Sequence, residues 1–163
     1  MEVVMKKVLV TGANGYIGRH VVKRLLDMGA EVIAVDFLTD EIDSRAIKMN
    51  ENIFSGRDDL FETLGKPDAC LHMAWKDGFV HNSDAHMEYL SQHYQFIKNM
   101  TDQGLKQIAI MGTMHEVGYH EGAIDENTQC NPRSMYGIAK DALRRSTFLL
   151  LEKKGSSSGQ KRR

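Results

Sequence analysis

Short apolar runs alternate along the chain with longer stretches in which apolar residues recur every three or four positions. Val8-Leu9-Val10 is followed, after a polar turn, by Ile17, Val21, Val22, Leu25, Leu26 and Met28, the spacing of one buried helix face. Gly29 ends that helix, and Glu31-Val32-Ile33-Ala34-Val35-Asp36 reads as a second buried strand closed by an acid. Residues 37–52 are polar and irregular, with Thr39-Asp40-Glu41 able to cap a short helix. Asn52-Ile53-Phe54-Ser55 is predicted as a third strand, and residues 56–64 as a turn and a brief helix ended by Gly65-Lys66-Pro67. A fourth strand is predicted at 68–75, buried on both faces as parallel strands usually are. Ser83 suits the N-cap of a helix over 84–103, with Met87, Leu90, Tyr94, Ile97 and Met100 at helical spacing and Gly104 as its stop. Lys106 to Met111 reads as a fifth strand, and a loop over 112–131 follows. From about Arg133, the residues Met135, Ile138, Ala139, Ala142, Leu143, Ser146, Leu149 and Leu150 mark the stripe of a last helix. Strands alternating with helices predict an α/β fold, a doubly wound parallel sheet of Rossmann type.

The turn after the first strand is Thr11-Gly12-Ala13-Asn14-Gly15-Tyr16-Ile17-Gly18. Of its glycines, one allows the tight turn, one lets the backbone approach a pyrophosphate, and one lets helix and strand pack closely. N–H groups at the helix start would face the phosphate with the helix dipole behind them. Asp36 follows Gly18 by 18 residues, near the spacing of a carboxylate that accepts from an adenosine ribose. NAD is therefore the expected cofactor, held by Gly12, Asn14, Gly15, Tyr16, Ile17, Gly18 and Asp36. The Asp36 charge would repel the additional phosphate of NADP. Asp58 or Asp59 offers either an acceptor for the adenine amino group or a helix N-cap.

Tyr136 and Lys140 stand four apart on the last helix, hence on one face. An ammonium held near the phenol favours phenolate, which makes Tyr136 a candidate acid/base for a substrate hydroxyl. Thr113, just after the fifth strand, can hydrogen-bond the reacting oxygen, while His72 is expected to pack at its strand end.

The 163 residues suit one folded domain, expected over 1–154, and the Ser/Gly and basic composition of 155–163 predicts a disordered tail. Basic and acidic side chains number 21 and 22, which gives no electrostatic case for nucleic acid or a membrane surface. Cys70 and Cys130 are expected to be reduced, without a role in the chemistry. No apolar run approaches the roughly 20 residues of a membrane span, and the first residues lack a signal-peptide pattern, so a cytoplasmic location is expected. His115-Glu116-Val117-Gly118-Tyr119-His120 spaces its histidines by five instead of four and includes a helix-disfavouring glycine, so no metal is expected.

The Thr11–Gly18 turn, His72-Met73-Ala74-Trp75, Gly112-Thr113 and the Tyr136/Lys140 pair together resemble the extended short-chain dehydrogenase/reductase superfamily, specifically the NAD-dependent epimerase/dehydratase family, over roughly residues 5–150. The resemblance implies an enzyme that oxidises a ring hydroxyl of a nucleotide sugar with NAD, then epimerises or reduces the keto product. It also implies that Tyr136 is the base, that Lys140 holds the nicotinamide ribose, that Thr113 orients the substrate hydroxyl, and that Ala74 borders the cofactor. A homodimer through the last two helices is implied as well. Dehydratases of this kind carry Asp-Glu after the threonine, where this chain has Met114-His115-Glu116, so dehydration is less supported. The family continues through further strands and a substrate domain. The fold is accordingly expected to be truncated after the Tyr136/Lys140 helix, and the alternative function is an NAD-binding module with little or no turnover.

Overall fold

A computed structural model describes residues 6–159. Five strands, β1 (Lys7–Thr11), β2 (Glu31–Val35), β3 (Ile47–Met49), β4 (Ala69–His72) and β5 (Gln107–Ile110), form one sheet in the order β3-β2-β1-β4-β5. Every pairing is parallel. The helices are α1 (Tyr16–Asp27), α2 (Leu60–Thr63), α3 (Ala85–Glu88), α4 (Leu90–Gln103) and α5 (Met135–Gly159), with a 3-10 turn at Met114–Glu116. The chain divides into two compact units. One takes residues up to Trp75 together with Asn99–Met111; the other takes Lys76–Lys98 and the chain from Gly112 onward.

In the first unit the strand order turns at β1, which is flanked by β2 on one side and β4 on the other. Such a switch point opens a crevice at the carboxyl ends of the strands. On one face Val8, Val10, Val32 and Ala34 bury against Val22 of α1, with Leu25 and Leu26 packed alongside. On the other, Leu9, Ile33 and Cys70 are buried, and a Cβ on Gly65, just after α2, would stand 3.2 Å from the Ile33 side chain. Burial pushes the Cys70 thiol pKa well up, leaving it unreactive.

Several expectations are corrected. The third strand lies at Ile47–Met49, where Ile33 pairs with Ile47 and Val35 with Met49, and not at residues 52–55. There the Asn52 side chain accepts from Phe54 N at 3.0 Å and its carbonyl accepts from Ser55 N, which closes a turn. Ile53 is buried from that turn, so its apolar character reported burial and not strand pairing. β4 is buried on alternate residues only. The helix expected over 84–103 is two helices that part at Tyr89. The N-cap position expected at Ser83 falls to Asp84, which makes no side-chain cap bond, while the Ser83 hydroxyl one residue earlier accepts from Ala85 N at 3.3 Å. Finally, α5 continues to Gly159, past the boundary expected at Gly155, because extending an established helix adds one hydrogen bond per residue ordered. Residues 160–163 of the expected tail lie outside the described residues.

In the second unit α5 packs on α3 and on the Met114–Glu116 turn. Ala139 and Leu143 of α5 are fully buried. Among the described residues no helix is long and apolar enough to cross a membrane.

Candidate active site and nucleotide turn

The nucleotide turn belongs to the first unit. Gly12 has φ of 69°, a left-handed conformation, and a Cβ there would stand 2.7 Å from Ala74 N. A Cβ on Gly18 would run into the Gly12 carbonyl. The Asp36 carboxylate accepts from Asn14 N at 2.9 Å and from Phe37 N at 2.8 Å, so it is aimed by two backbone amides. Asn14 in turn accepts from Glu41 N at 3.1 Å, which ties the turn to the loop after β2.

Beneath the turn, the buried Thr11 hydroxyl accepts from Met73 N and Ala74 N at 3.2 and 3.3 Å. Having filled its acceptor positions, it donates to Nδ1 of the buried His72 at 2.8 Å, which leaves the ring proton of His72 on Nε2. His72 thus packs at the strand end, as its position in an apolar run implies.

An apolar recess of about 40 Å³ opens beside the turn, lined by Gly12, Asp36, Phe37, Ile53, Phe54 and Ala74. Phe37, Ile53 and Phe54 were not expected at the recess, since each lies in a short apolar pair, Phe37-Leu38 or Ile53-Phe54, within a polar stretch. Asp58 is exposed and does not line the recess. Asp59 takes the N-cap position of α2 but makes no side-chain cap bond, and pairs with Arg57 instead.

The second unit carries Tyr136, Lys140 and Thr113. Tyr136 begins α5, where the orphan N–H groups of a helix start need partners. Met135 N donates to the Asn82 side chain at 3.2 Å, Tyr136 N to His81 O at 2.9 Å, and Gly137 N to the Ser134 hydroxyl at 3.1 Å. The loop over 76–84 and the Ser134 cap therefore hold the start of α5. Gly137 is required by close approach, since a Cβ there would collide with the His115 carbonyl. Three imidazoles surround the Tyr136 ring, with His86, His115 and His81 centred 5.2, 5.5 and 6.0 Å from it.

Lys140 is buried at 4% exposure, with its Nζ 6.0 Å from the Tyr136 ring centre. Burial pushes its pKa down to about 8, and the Glu116 carboxylate opposes that fall. The buried His93 is driven down to about 3, first by desolvation and then by the Lys140 charge.

Thr113 caps the 3-10 turn. Its hydroxyl accepts from His115 N at 3.3 Å, while its own N–H donates to Glu116 Oε1 at 2.8 Å. The other Glu116 oxygen accepts from Arg144 Nε at 3.1 Å, and Arg144 Nη2 also reaches Asp141 and Cys130 Sγ. The structure thus joins the Thr113 turn to the helix of Tyr136 and Lys140. Glu116, Arg144 and the histidines were not identified as parts of such an assembly from sequence. Only Ser134, a polar residue just ahead of an apolar stripe, left a local signal.

Residues 8–156 match the model of the NAD dependent epimerase/dehydratase family. The chain belongs to this family. A curated relative, the dTDP-6-deoxy-L-talose 4-dehydrogenase (NAD(+)) of Aggregatibacter actinomycetemcomitans, is 44% identical over 149 residues, covering 86% of this chain and 54% of the relative. An uncharacterized UDP-glucose epimerase of Bacillus subtilis is 27% identical, over 82% of this chain and 48% of its own length. The chain spans about half the length of these curated relatives. Among solved structures, the UDP-glucose 4-epimerase of Thermotoga maritima superposes with a TM-score of 0.79 at 23% identity, over 91% of this chain and 52% of that one. That likeness shows the Rossmann-type fold of this family member.

Proposed function

We propose that this chain binds NAD(H) at the glycine turn and serves the oxidation of a ring hydroxyl on a nucleotide sugar. The substrate class is a dTDP-linked 6-deoxyhexose reacting at C4, in keeping with the relative named for that chemistry. The observation that carries the reading is the Tyr136–Lys140 pair at the start of α5, packed on the Thr113 turn.

The residues of the turn fit the cofactor. Gly15 caps α1 without a side chain bond, and the first turn of α1 contains no acid, so its N–H groups suit a pyrophosphate. Asp36, aimed by two amides, retains lone pairs for the ribose hydroxyls. Gly12, Asn14, Gly15, Tyr16, Ile17, Gly18, Asp36 and Ala74 are assigned to the cofactor on this reading, with Phe37, Ile53 and Phe54 added as apolar walls.

Lys140 is cationic at neutral pH even with its lowered pKa, and its Nζ stands 6.0 Å from the Tyr136 ring centre. On this reading Tyr136 is the base that accepts the proton of the sugar hydroxyl. Because the Thr113 hydroxyl already accepts from His115 N, its own proton is available to the same sugar oxygen. NAD, when bound, takes up the hydride. Both oxygens of Glu116 are engaged at 6% exposure, which favours a dehydrogenase or epimerase over a dehydratase that needs a free carboxylic acid. Exposed Ile138, Phe148 and Leu149 on α5 support a homodimer through the last two helices, and a cytoplasmic location is part of the same proposal.

The test combines an NADH titration with an assay of dTDP-6-deoxy-L-talose and NAD, followed at the NADH absorbance band. Reduction of NAD in step with sugar supports the proposal. NADH binding without turnover removes the sugar chemistry, and failure to bind NADH overturns the proposal.

A further inference from the structure

The loop after β2 brings two more acidic residues to the nucleotide turn, and the proposed chemistry uses neither. Asn14 makes the connection. Its N–H donates to Asp36 Oδ2 at 2.9 Å, its side-chain oxygen accepts from Glu41 N at 3.1 Å, and its side-chain amide donates to Asp40 Oδ1 at 3.4 Å. A single residue of the turn is therefore bonded to Asp36, Asp40 and Glu41 together. Asp36 is half-buried, while Asp40 and Glu41 are exposed at the outer side of Asn14.

Glu41 does more than add a charge. Its carboxylate forms an ion pair with the Arg19 guanidinium. Arg19 stands in the first turn of α1, where its N–H donates to Gly15 O at 3.0 Å. A guanidinium so close to a nucleotide turn is the group that a further phosphate would seek, because its planar fork matches phosphate oxygens. Here that fork is turned to a carboxylate. Of the other cations beside the loop, Arg45 is bound by Asp27 and Asp43, and Lys48 donates to Thr39 O at 3.2 Å.

We propose that Glu41 is a specificity residue for the cofactor: it withholds Arg19 from the additional ribose phosphate of NADP and adds its own charge to that of Asp36 against it. The inference rests on the reading of Asp36 as the ribose carboxylate. It goes further in one respect, since the turn then contains a latent phosphate-binding group that one substitution releases. Both side chains are open to water, Arg19 at 35% and Glu41 at 54%, so the pair is sensitive to salt and its effect on binding is moderate.

The test titrates the full chain and its variants with NADH and with NADPH, which differ only by that phosphate, following cofactor fluorescence. Glu41→Gln keeps the backbone N–H that donates to Asn14, so the loop stays attached. In this variant NADPH affinity should rise by roughly five- to tenfold, while NADH affinity changes by less than about twofold. Adding Arg19→Gln should remove most of that gain, whereas Arg19→Gln alone should not raise NADPH affinity, because the guanidinium is already engaged in the wild type. The gain should also shrink as salt is added. That pattern supports the proposal. An unchanged NADPH affinity in Glu41→Gln, an equal rise for both cofactors, or a gain that survives Arg19→Gln in full overturns it. The two possible failures are told apart by the wild type: if it binds NADH, any of these results removes only the role of Glu41, and if it binds no NADH, the reading of the turn falls and this inference with it.

Discussion

The nucleotide turn and the surroundings of Tyr136 are built from different materials. In the first unit the turn is almost wholly backbone: a left-handed Gly12, amides of Asn14 and Phe37 aiming Asp36, and amides of Met73 and Ala74 on the Thr11 hydroxyl. In the second unit the site is made of side chains drawn from the loop over 76–84, α3, the 3-10 turn and α5. A backbone site is constrained by conformation and by the absence of a Cβ. A side-chain site is constrained by charge and burial, so it should respond to pH where the other does not.

The sharpest break between them is expected from Tyr136→Phe. The ring stays among its three histidines and only the hydroxyl is lost, so kcat in the turnover assay should fall by about 10²- to 10⁴-fold. NADH affinity by titration should hold. An equal loss of affinity would erase the division between the two sites.

Acid stability comes next. His93 ordinarily titrates at 6.5 and is held down to about 3 in the folded chain. Between those values the unfolded chain binds a proton that the folded chain does not, so stability is full above pH 6.5 and is lost as pH falls towards 3. Urea midpoints measured across that window should decline in the wild type by the equivalent of several kcal/mol and run much flatter in His93→Leu. A wild-type profile as flat as the variant's would show that His93 protonates freely in the folded chain.

Gly12→Ala tests the backbone side of the comparison. A non-glycine residue in that conformation costs about 1–3 kcal/mol, and the added Cβ meets Ala74 N, so NADH affinity and thermal stability should drop together. Unaltered affinity would mean that the turn does not hold the nucleotide. Asp36 should favour NADH over NADPH by roughly tenfold, about 1.4 kcal/mol, and Asp36→Asn should narrow that gap. Equal affinities in the wild type would remove Asp36 from the ribose. Smallest of all, Thr147→Val should stabilise the chain by roughly 1 kcal/mol, because the buried Thr147 hydroxyl has no hydrogen-bond partner among the described residues. A lower melting temperature would point to a partner for that hydroxyl.

The same contrast explains what was legible in the chain. The turn from Thr11 to Gly18, Asp36, and the four-residue step from Tyr136 to Lys140 could be read because each depends on local spacing. β3 was misplaced because Ile53 and Phe54 looked like strand residues, while the pairing with β2 is made by Ile47–Met49, a three-residue strand whose first two residues are exposed and which gives a weak apolar signal. The Glu116–Arg144 contact spans 28 residues and the Tyr136–His81 contact longer still, so neither leaves a periodic mark. Asp58 was singled out as a carboxylate after a strand that lies elsewhere, and it is exposed.

The Thr11 hydroxyl has a consequence for folding. It joins β1 to backbone amides 62 and 63 residues further along, and Ala13 N reaches across to Val35 O of β2. The turn therefore acquires its shape only when three strands distant in sequence have come together, a slow kind of assembly for any chain. A nucleotide that recognises this turn has nothing to grip in the unfolded ensemble. Saturating such a ligand at a hundredfold its Kd would add about 2.7 kcal/mol to unfolding by mass action. Occupancy of the turn would then slow the chain's turnover by cellular proteases, making the supply of cofactor a determinant of how long the protein persists.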